Sequence, residues 1–209
     1  MTTTTTPTPS ARESTLRHLV TSVLYTVVTI VAFGLIYPVV IWGIASVLFP
    51  HQANGSLVTG PGGAVIGSEL VGQNFTKPGY FQPRPSAAGK GYDPTQTGGT
   101  NYGPTSKKLI DATKSTIAAL RKANPDATGP IPPDLVTSSA SGIDPDISPE
   151  AAYYQVPRVA KARGMSAASV RALVAQHVTP RQLGILGEPR VNVFDLNRAL
   201  DAQGASPAQ

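Results

Sequence analysis

Between Leu19 and Phe49 the chain runs for thirty-one residues without a charged side chain, and no formal charge returns until Glu69. At ~1.5 Å rise per residue, about 20 residues cross the hydrocarbon core of a bilayer as a helix, so this run spans it with turns to spare. A cleaved signal peptide also opens with cations and an apolar stretch, but its apolar core is only about 7–15 residues and ends at a small-residue motif. The present run is far longer, and Ser56 follows a glycine. The segment 18–49 is therefore read as an uncleaved transmembrane anchor. Pro38 withholds a backbone donor near its middle, which predicts a kink there.

Orientation follows from the cations. Arg12, Arg17 and the α-amino group precede the span, whereas the first cation after it is Lys77, outside the window of about 15–20 residues that sets topology. The N-terminus is expected in the cytoplasm and the remainder, 50–203, outside it, followed by a flexible tail over 204–209. The absence of cysteine is compatible with export, because an exported domain can forgo disulfides. Residues 1–17 open with a Thr/Pro tract that cannot pack and read as a disordered cytoplasmic tail. A net charge of +5 with scattered cations, without a basic stripe interleaved with aromatics, argues against a nucleic-acid partner.

Some 150 residues suffice for one core. The segment Asn54 to Gly72 holds two short apolar pieces separated by turn residues and predicts a hairpin. Lys77 to Tyr92 is too rich in proline and glycine for regular structure, yet it carries Tyr80, Phe81, Arg84 and Tyr92. Such a loop is pinned by its aromatics. Leu109, Thr113, Ile117 and Leu120 recur at helical spacing, giving a helix from Ser106 to Ala123 closed by Asn124-Pro125. A second helix starts at a Ser148 cap with Pro149 and Glu150 in its first turn and stops at Gly164, with Pro157 expected to kink it or split it in two. A third, capped by Ser166, spans Ala167 to His177, and Val191 to Leu200 reads as a strand turning into a short helix. The class is α+β: one N-terminal transmembrane helix followed by one mixed extracytoplasmic domain.

Candidate chemistry is sparse. Ser141, within Ser139-Ala-Ser-Gly142, and His177 could supply two members of a hydrolase triad, but the leading glycine of the nucleophile elbow is missing and an ordinary turn with a helix-ending histidine explains them. Asp144, Asp146 and Glu150 could offer three carboxylates to a hard cation; turn formation and helix capping account for them as well. The glycines of Thr97 to Gly103 lack the Gly-Lys-Ser/Thr ending of a phosphate loop. The reading is of a chain that is not an enzyme by itself, with no catalytic residue and no metal site.

Taken in order, several segments resemble the C subunit of the bacterial Kdp potassium-transporting ATPase. They are Gly34-Leu-Ile-Tyr-Pro38, Phe49-Pro-His-Gln-Ala53 with Gly55-Ser-Leu57, and Gly67-Ser68 leading to Leu70-Val-Gly-Gln73. Tyr80-Phe-Gln-Pro-Arg-Pro-Ser-Ala87, Ser139-Ala-Ser-Gly-Ile-Asp-Pro145 with Ile147-Ser-Pro149, Gln155-Val-Pro-Arg-Val-Ala160, and Val191-Asn-Val193 with Leu196-Asn197 complete the set. Departures are Thr97 and Thr100 where serine is expected, Asp93 for asparagine, and Asp146 where the family has histidine, so no role of that histidine carries over. The resemblance implies an accessory subunit of a high-affinity K⁺ importer in the bacterial cytoplasmic membrane, acting as a catalytic chaperone that raises the ATP affinity of the complex and stabilises it. Its implied partners are a potassium-channel-like subunit, a P-type ATPase subunit that uses ATP and Mg²⁺, and a small hydrophobic subunit; the chain itself holds no cofactor firmly. The family's proposed ATP contact, a Leu-x-Gly-Gln stretch, falls here on Leu70, Gly72 and Gln73. The cation asymmetry conflicts with that contact, because it puts Gln73 on the side of the membrane opposite the nucleotide.

Alternatives from other classes are a membrane-anchored serine hydrolase using Ser141 and His177, and an anchored solute-binding module. Candidate interface residues are Gly34 and Gly43, small residues that permit close helix packing in lipid, and Tyr80, Phe81 and Arg84, residue types enriched at binding hot spots; packing of the last three within their own domain is the competing reading. The charge asymmetry generates a direct prediction. A reporter active only outside the cytoplasm, fused after Gln209, should be active; a silent fusion paired with a working cytoplasmic reporter would invert the topology.

Overall fold

A computed structural model describes the backbone of residues 11–203 and side chains from Thr15 onward. The tail expectations for 1–10 and 204–209 lie outside the described residues. The chain divides into two compact units after Gly55, each taken by itself below.

The first unit is helical. Helix α1 (Ala11–Thr29) begins within the stretch read as a disordered tail. It passes into a π-helical segment, Ile30–Ile36, and then α2, Tyr37–Leu48. The π segment lies just before Pro38 and suits it. Proline's ring collides with the carbonyl four residues back in an α-helix, and the wider coil absorbs this, with Tyr37 N–H donating to the Ala32 carbonyl five residues earlier. Thr15–Leu48 is long and apolar enough to cross a membrane, and its side chains are exposed within the chain itself. Thr26 and Thr29 donate their hydroxyls to the carbonyls of Ser22 and Tyr25, which removes unsatisfied polar groups from an apolar surface. A single turn, α3 (Pro50–Ala53), follows.

The second unit starts at Ser56. Strands β1 (Leu57–Thr59) and β2 (Val65–Ser68) form the expected hairpin, pairing antiparallel with Val58 opposite Gly67. A long irregular stretch leads to α4 (Lys107–Ala123), where Asn124 caps the end by donating its side-chain amide to the Leu120 carbonyl. Then come β3 (Asp146–Ile147), α5 (Pro149–Arg163), α6 (Ala167–Gln176), β4 (Val178–Thr179), β5 (Arg190–Asn192) and α7 (Val193–Ala202). Strand β5 is central, antiparallel to β3 on one side and β4 on the other.

Helix α5 shows how local chemistry sets its limits. Ser148 Oγ accepts the Ala151 N–H at 3.0 Å, and Asp134 in turn receives the Ser148 N–H at 2.7 Å. Gly164 ends the helix with φ of 64°, a left-handed conformation that any Cβ disfavours. Pro157 does not split α5: fifteen residues run through it unbroken. Proline costs the helix one hydrogen bond, and the carbonyl deprived of its donor, that of Tyr153, belongs to a partly exposed turn. The other face carries Ala152, Gln155, Val156, Arg158 and Val159 into the core, and that burial outweighs the missing bond. Val170 and Val174 of α6, Val191 of β5, and Val193, Leu196 and Leu200 of β5–α7 complete the core.

Gly164→Ala should lower stability by about 1 kcal/mol, read as a lower chemical-denaturation midpoint of the detergent-solubilised chain with its helix content retained.

Candidate functional site

Apart from Gly34 and Gly43 of the apolar helix, most residues singled out in the sequence fall on three places in the second unit. The first is the proline-rich strap around Tyr80 to Ser86. Its backbone makes little regular structure, and each buried N–H and C=O still needs a partner. Side chains supply them. Asn197 of α7 accepts the Phe81 N–H through Oδ1 and donates Nδ2 to the Phe81 carbonyl, both at 2.9 Å. Gln155 of α5 does the same for Gln82, at 2.8 and 3.0 Å. Arg158 donates to the carbonyls of Pro78 and Tyr80 and to Asn124 Oδ1, while Arg163 donates to the Gly79 carbonyl and, at 2.8 Å, to Asp201. Burial pushes the Arg158 guanidinium down to about 10, which leaves it cationic at neutral pH.

This settles where three candidate residues stand. Phe81 is 0 % exposed and lies in the main core cluster, so of the two roles set out for it, packing under its own domain is the one its position serves. Tyr80 stacks under the Arg163 guanidinium, 4.7 Å from the ring centroid, and its hydroxyl donates to Asp201 at 3.2 Å. Burial and then the Asp201 charge raise its pKa. Arg84 pairs with Asp144 at 2.9 Å. Tyr92 donates to the Arg84 carbonyl at 2.8 Å, and burial, reinforced by Asp144, holds its phenol protonated well above its ordinary range.

The second place is Leu70 to Gln73. Gly72 donates its N–H to the Ile143 carbonyl at 2.8 Å, and a Cβ there would stand 2.5 Å from both the Asp144 carbonyl oxygen and the Tyr92 ring. Only glycine fits this approach. Gln73 Nε2 donates to the Ile66 carbonyl at 3.0 Å and ties β2 down. Its amide donor is thus engaged by backbone, and the acid Glu69 stands nearby in sequence where a polyphosphate would call for cations.

The third is an open groove of ≈ 1380 Å³ whose walls include Ile131, Pro132, Tyr153, Tyr154 and Pro189. Two of its arginines are paired with acids, Arg84 with Asp144 and Arg190 with Asp146 at 3.1 Å, and Arg171 lies over the Tyr153 ring at 4.7 Å. Burial raises the Asp146 carboxyl, against the lowering effect of Arg190. Of the three acids considered for a cation, all of which line this groove, Asp144 and Asp146 are paired with arginines, and among the described residues no group of three or more His, Asp or Glu side chains is placed to hold a metal. Ser141 and His177 are not joined by a hydrogen bond among the described residues. Ser141 Oγ accepts the Ile143 N–H at 3.2 Å, and His177 Nδ1 meets the Leu173 carbonyl at 2.9 Å at the end of α6.

Residues 19–202 match the family model described as "K+-transporting ATPase, c chain" (KdpC). The chain belongs to the KdpC family. Relatives match this sequence over nearly their whole length. The Potassium-transporting ATPase KdpC subunit of Koribacter versatilis is 54% identical over 192 residues, covering 91% of this chain and 96% of the relative. That of Acidobacterium capsulatum is 53% identical over 89% and 98% of the two chains, and that of Geobacter sulfurreducens 50% over 89% and 98%.

Against the KdpC-family segments read from sequence, the structure assigns work to residues for which no role was foreseen. Gln155, Arg158 and Asn197 sit inside those segments, and their signal was available: polar side chains at positions facing the core of otherwise apolar helix faces. Two substitutions check the account of Leu70 to Gln73. Gly72→Ala should cost about 1–3 kcal/mol through overpacking, and Gln73→Ala about 1 kcal/mol through one lost hydrogen bond, both measured as thermal denaturation of the full chain purified without partners or nucleotide.

Proposed function

We propose that this chain is a non-catalytic accessory subunit of an ATP-driven potassium-transport complex, anchored in the bacterial cytoplasmic membrane by its one span, with its second unit outside the cytoplasm. The observation that carries this reading is the match, over about nine-tenths of this chain, to relatives that bear the name of a potassium-transporting ATPase subunit. Its partners are a channel-like subunit that carries K⁺, a P-type ATPase subunit and a small hydrophobic subunit. The engaged state of Gln73, together with the cation asymmetry around the span, favours a chaperone effect on ATP affinity exerted through partner subunits rather than by touching nucleotide. ATP and Mg²⁺ belong to the ATPase subunit, and K⁺ is cargo.

Affinity purification of the full chain, coexpressed with the products of its neighbouring genes, tests the reading. Recovery of a P-type ATPase and a polytopic channel-like protein with K⁺-stimulated ATP hydrolysis is the expected result. A chain that emerges alone and cleaves an ester or peptide would replace it with the hydrolase alternative.

The span contributes to assembly through its small residues. A Cβ at Gly43 would meet nothing within 4 Å, and one at Gly34 only the Ile30 methyl at 3.9 Å, so larger side chains leave this chain undisturbed and report on what packs against it. Gly34→Leu and Gly43→Leu should each cost about 1–2 kcal/mol of helix association, a loss of roughly tenfold in recovered partners; undiminished recovery from both would reduce the span to an anchor.

A further inference from the structure

The turn that joins β4 to β5 presents three large aliphatic side chains to solvent: Leu183 at 89% exposure, Ile185 at 75% and Leu186 at 55%. It is not a slack loop. Gln182 and Leu186 exchange both backbone hydrogen bonds at 2.9 Å, Gly184 and Ile185 close further bonds onto Arg181 and Gln182, and an Arg181–Glu188 ion pair clasps the base. Leu183 holds φ of 54°, a left-handed conformation that costs a leucine roughly 1–2 kcal/mol and suits Asn or Gly far better. An unfavoured residue is thus held in a stiff turn with its side chain in water.

We propose that this turn is a docking tip that inserts Leu183 and Ile185 into an apolar pocket on the extramembrane surface of a membrane-embedded partner subunit. The proposal rests on the reading of the chain as a transport-complex subunit and adds where it engages. Three arguments select this occupant. Three side chains cannot supply the ~1,200 Å² that a free-standing specific interface needs, which argues against a second copy meeting in solution. The same small patch suffices for a partner already held alongside, because the membrane span makes the second contact effectively intramolecular. A lipid surface is disfavoured by charge and composition: bilayer-seeking loops carry unpaired cations and interfacial aromatics, whereas Arg181 is paired with Glu188, Arg190 with Asp146, and residues 180–190 contain no aromatic. A neutral aliphatic tip complements a neutral apolar pocket, and its rigidity lowers the ordering cost of binding.

The test uses the full chain coexpressed with the subunits it copurifies with. Leu183→Asn with Ile185→Ser should leave the thermal midpoint of the purified chain unchanged or raised, because asparagine relieves the backbone, yet reduce recovered partner subunits at least about tenfold, the scale of a lost hot spot. Leu183→Gly with Ile185→Ser repeats the measurement should the first pair misfold. Because the chain has no cysteine, Ile185→Cys carries a single photo-crosslinker; capture of a transport subunit supports the proposal. Unchanged partner recovery in both variant pairs overturns it while leaving the subunit reading intact, as does crosslinking only to lipid or to a second copy of this chain. A wild-type chain that recovers no transport subunit removes the functional reading on which the proposal stands.

Discussion

A strap with prolines at 78, 83 and 85 cannot join a sheet, because proline lacks the N–H that a ladder requires and forces its predecessor into extended backbone. The strap between those prolines is nevertheless buried at Gly79 and Phe81 and partly buried around them, and a buried unpaired N–H or C=O costs about 1–3 kcal/mol. The second unit meets this constraint with two carboxamides that act as neighbouring strands. Asn197 and Gln155 each present one acceptor and one donor, the same pair a facing peptide would offer, to Phe81 and Gln82. Arg158 and Arg163 cover the remaining carbonyls from Pro78 to Tyr80.

Much of the remaining architecture follows from that arrangement. Gln155 and Arg158 lie on α5 and Asn197 on α7, so the strap fixes how these two helices meet and brings the Phe81 ring into their shared core. Arg158 reaches on to Asn124, joining the end of α4 to the same network. Downstream, Ser86 Oγ accepts the Tyr92 N–H and donates to the Gly142 carbonyl, and Arg84 reaches Asp144. Two minimal sheets could not organise this much irregular chain. Prolines help from the other side of the equilibrium, since they narrow the unfolded ensemble and so lower the entropy lost when the strap is ordered.

What was legible in the sequence was local. The Ser148 cap, Pro149 and Gly164 announced both ends of α5, the turn residues from Gly60 to Gly63 announced the hairpin, and the uncharged run announced the span, because each signal acts within a few residues. The misreadings have tertiary or backbone causes. Pro157 reads as a break by propensity, but the buried side of α5 holds the helix together; before Pro38 the chain takes a wider coil, which local propensity does not foretell. Arg84 and Phe81 fit an interface or their own domain by composition, so both readings stood open, because a buried ring and an arginine paired sixty residues away cannot be told from exposed ones without knowing the partners. The Leu183 tip left no mark, since an aliphatic pair in a short turn reads like any core fragment.

The polar side chains of the second unit are largely turned on the unit itself. Arg84, Arg163, Arg181, Arg190 and Arg198 each face a carboxylate of the same chain. Partly exposed pairs of this kind add little stability, about 0–1 kcal/mol each, so their larger effect is on the field the surface projects. Cations neutralised at short range steer little beyond a Debye length of ~8 Å, and association that depends little on steering must rely on being held in place. A membrane span provides that hold. On the function proposed above, a chain built this way would contribute shape and apolar contact to its assembly more than long-range charge.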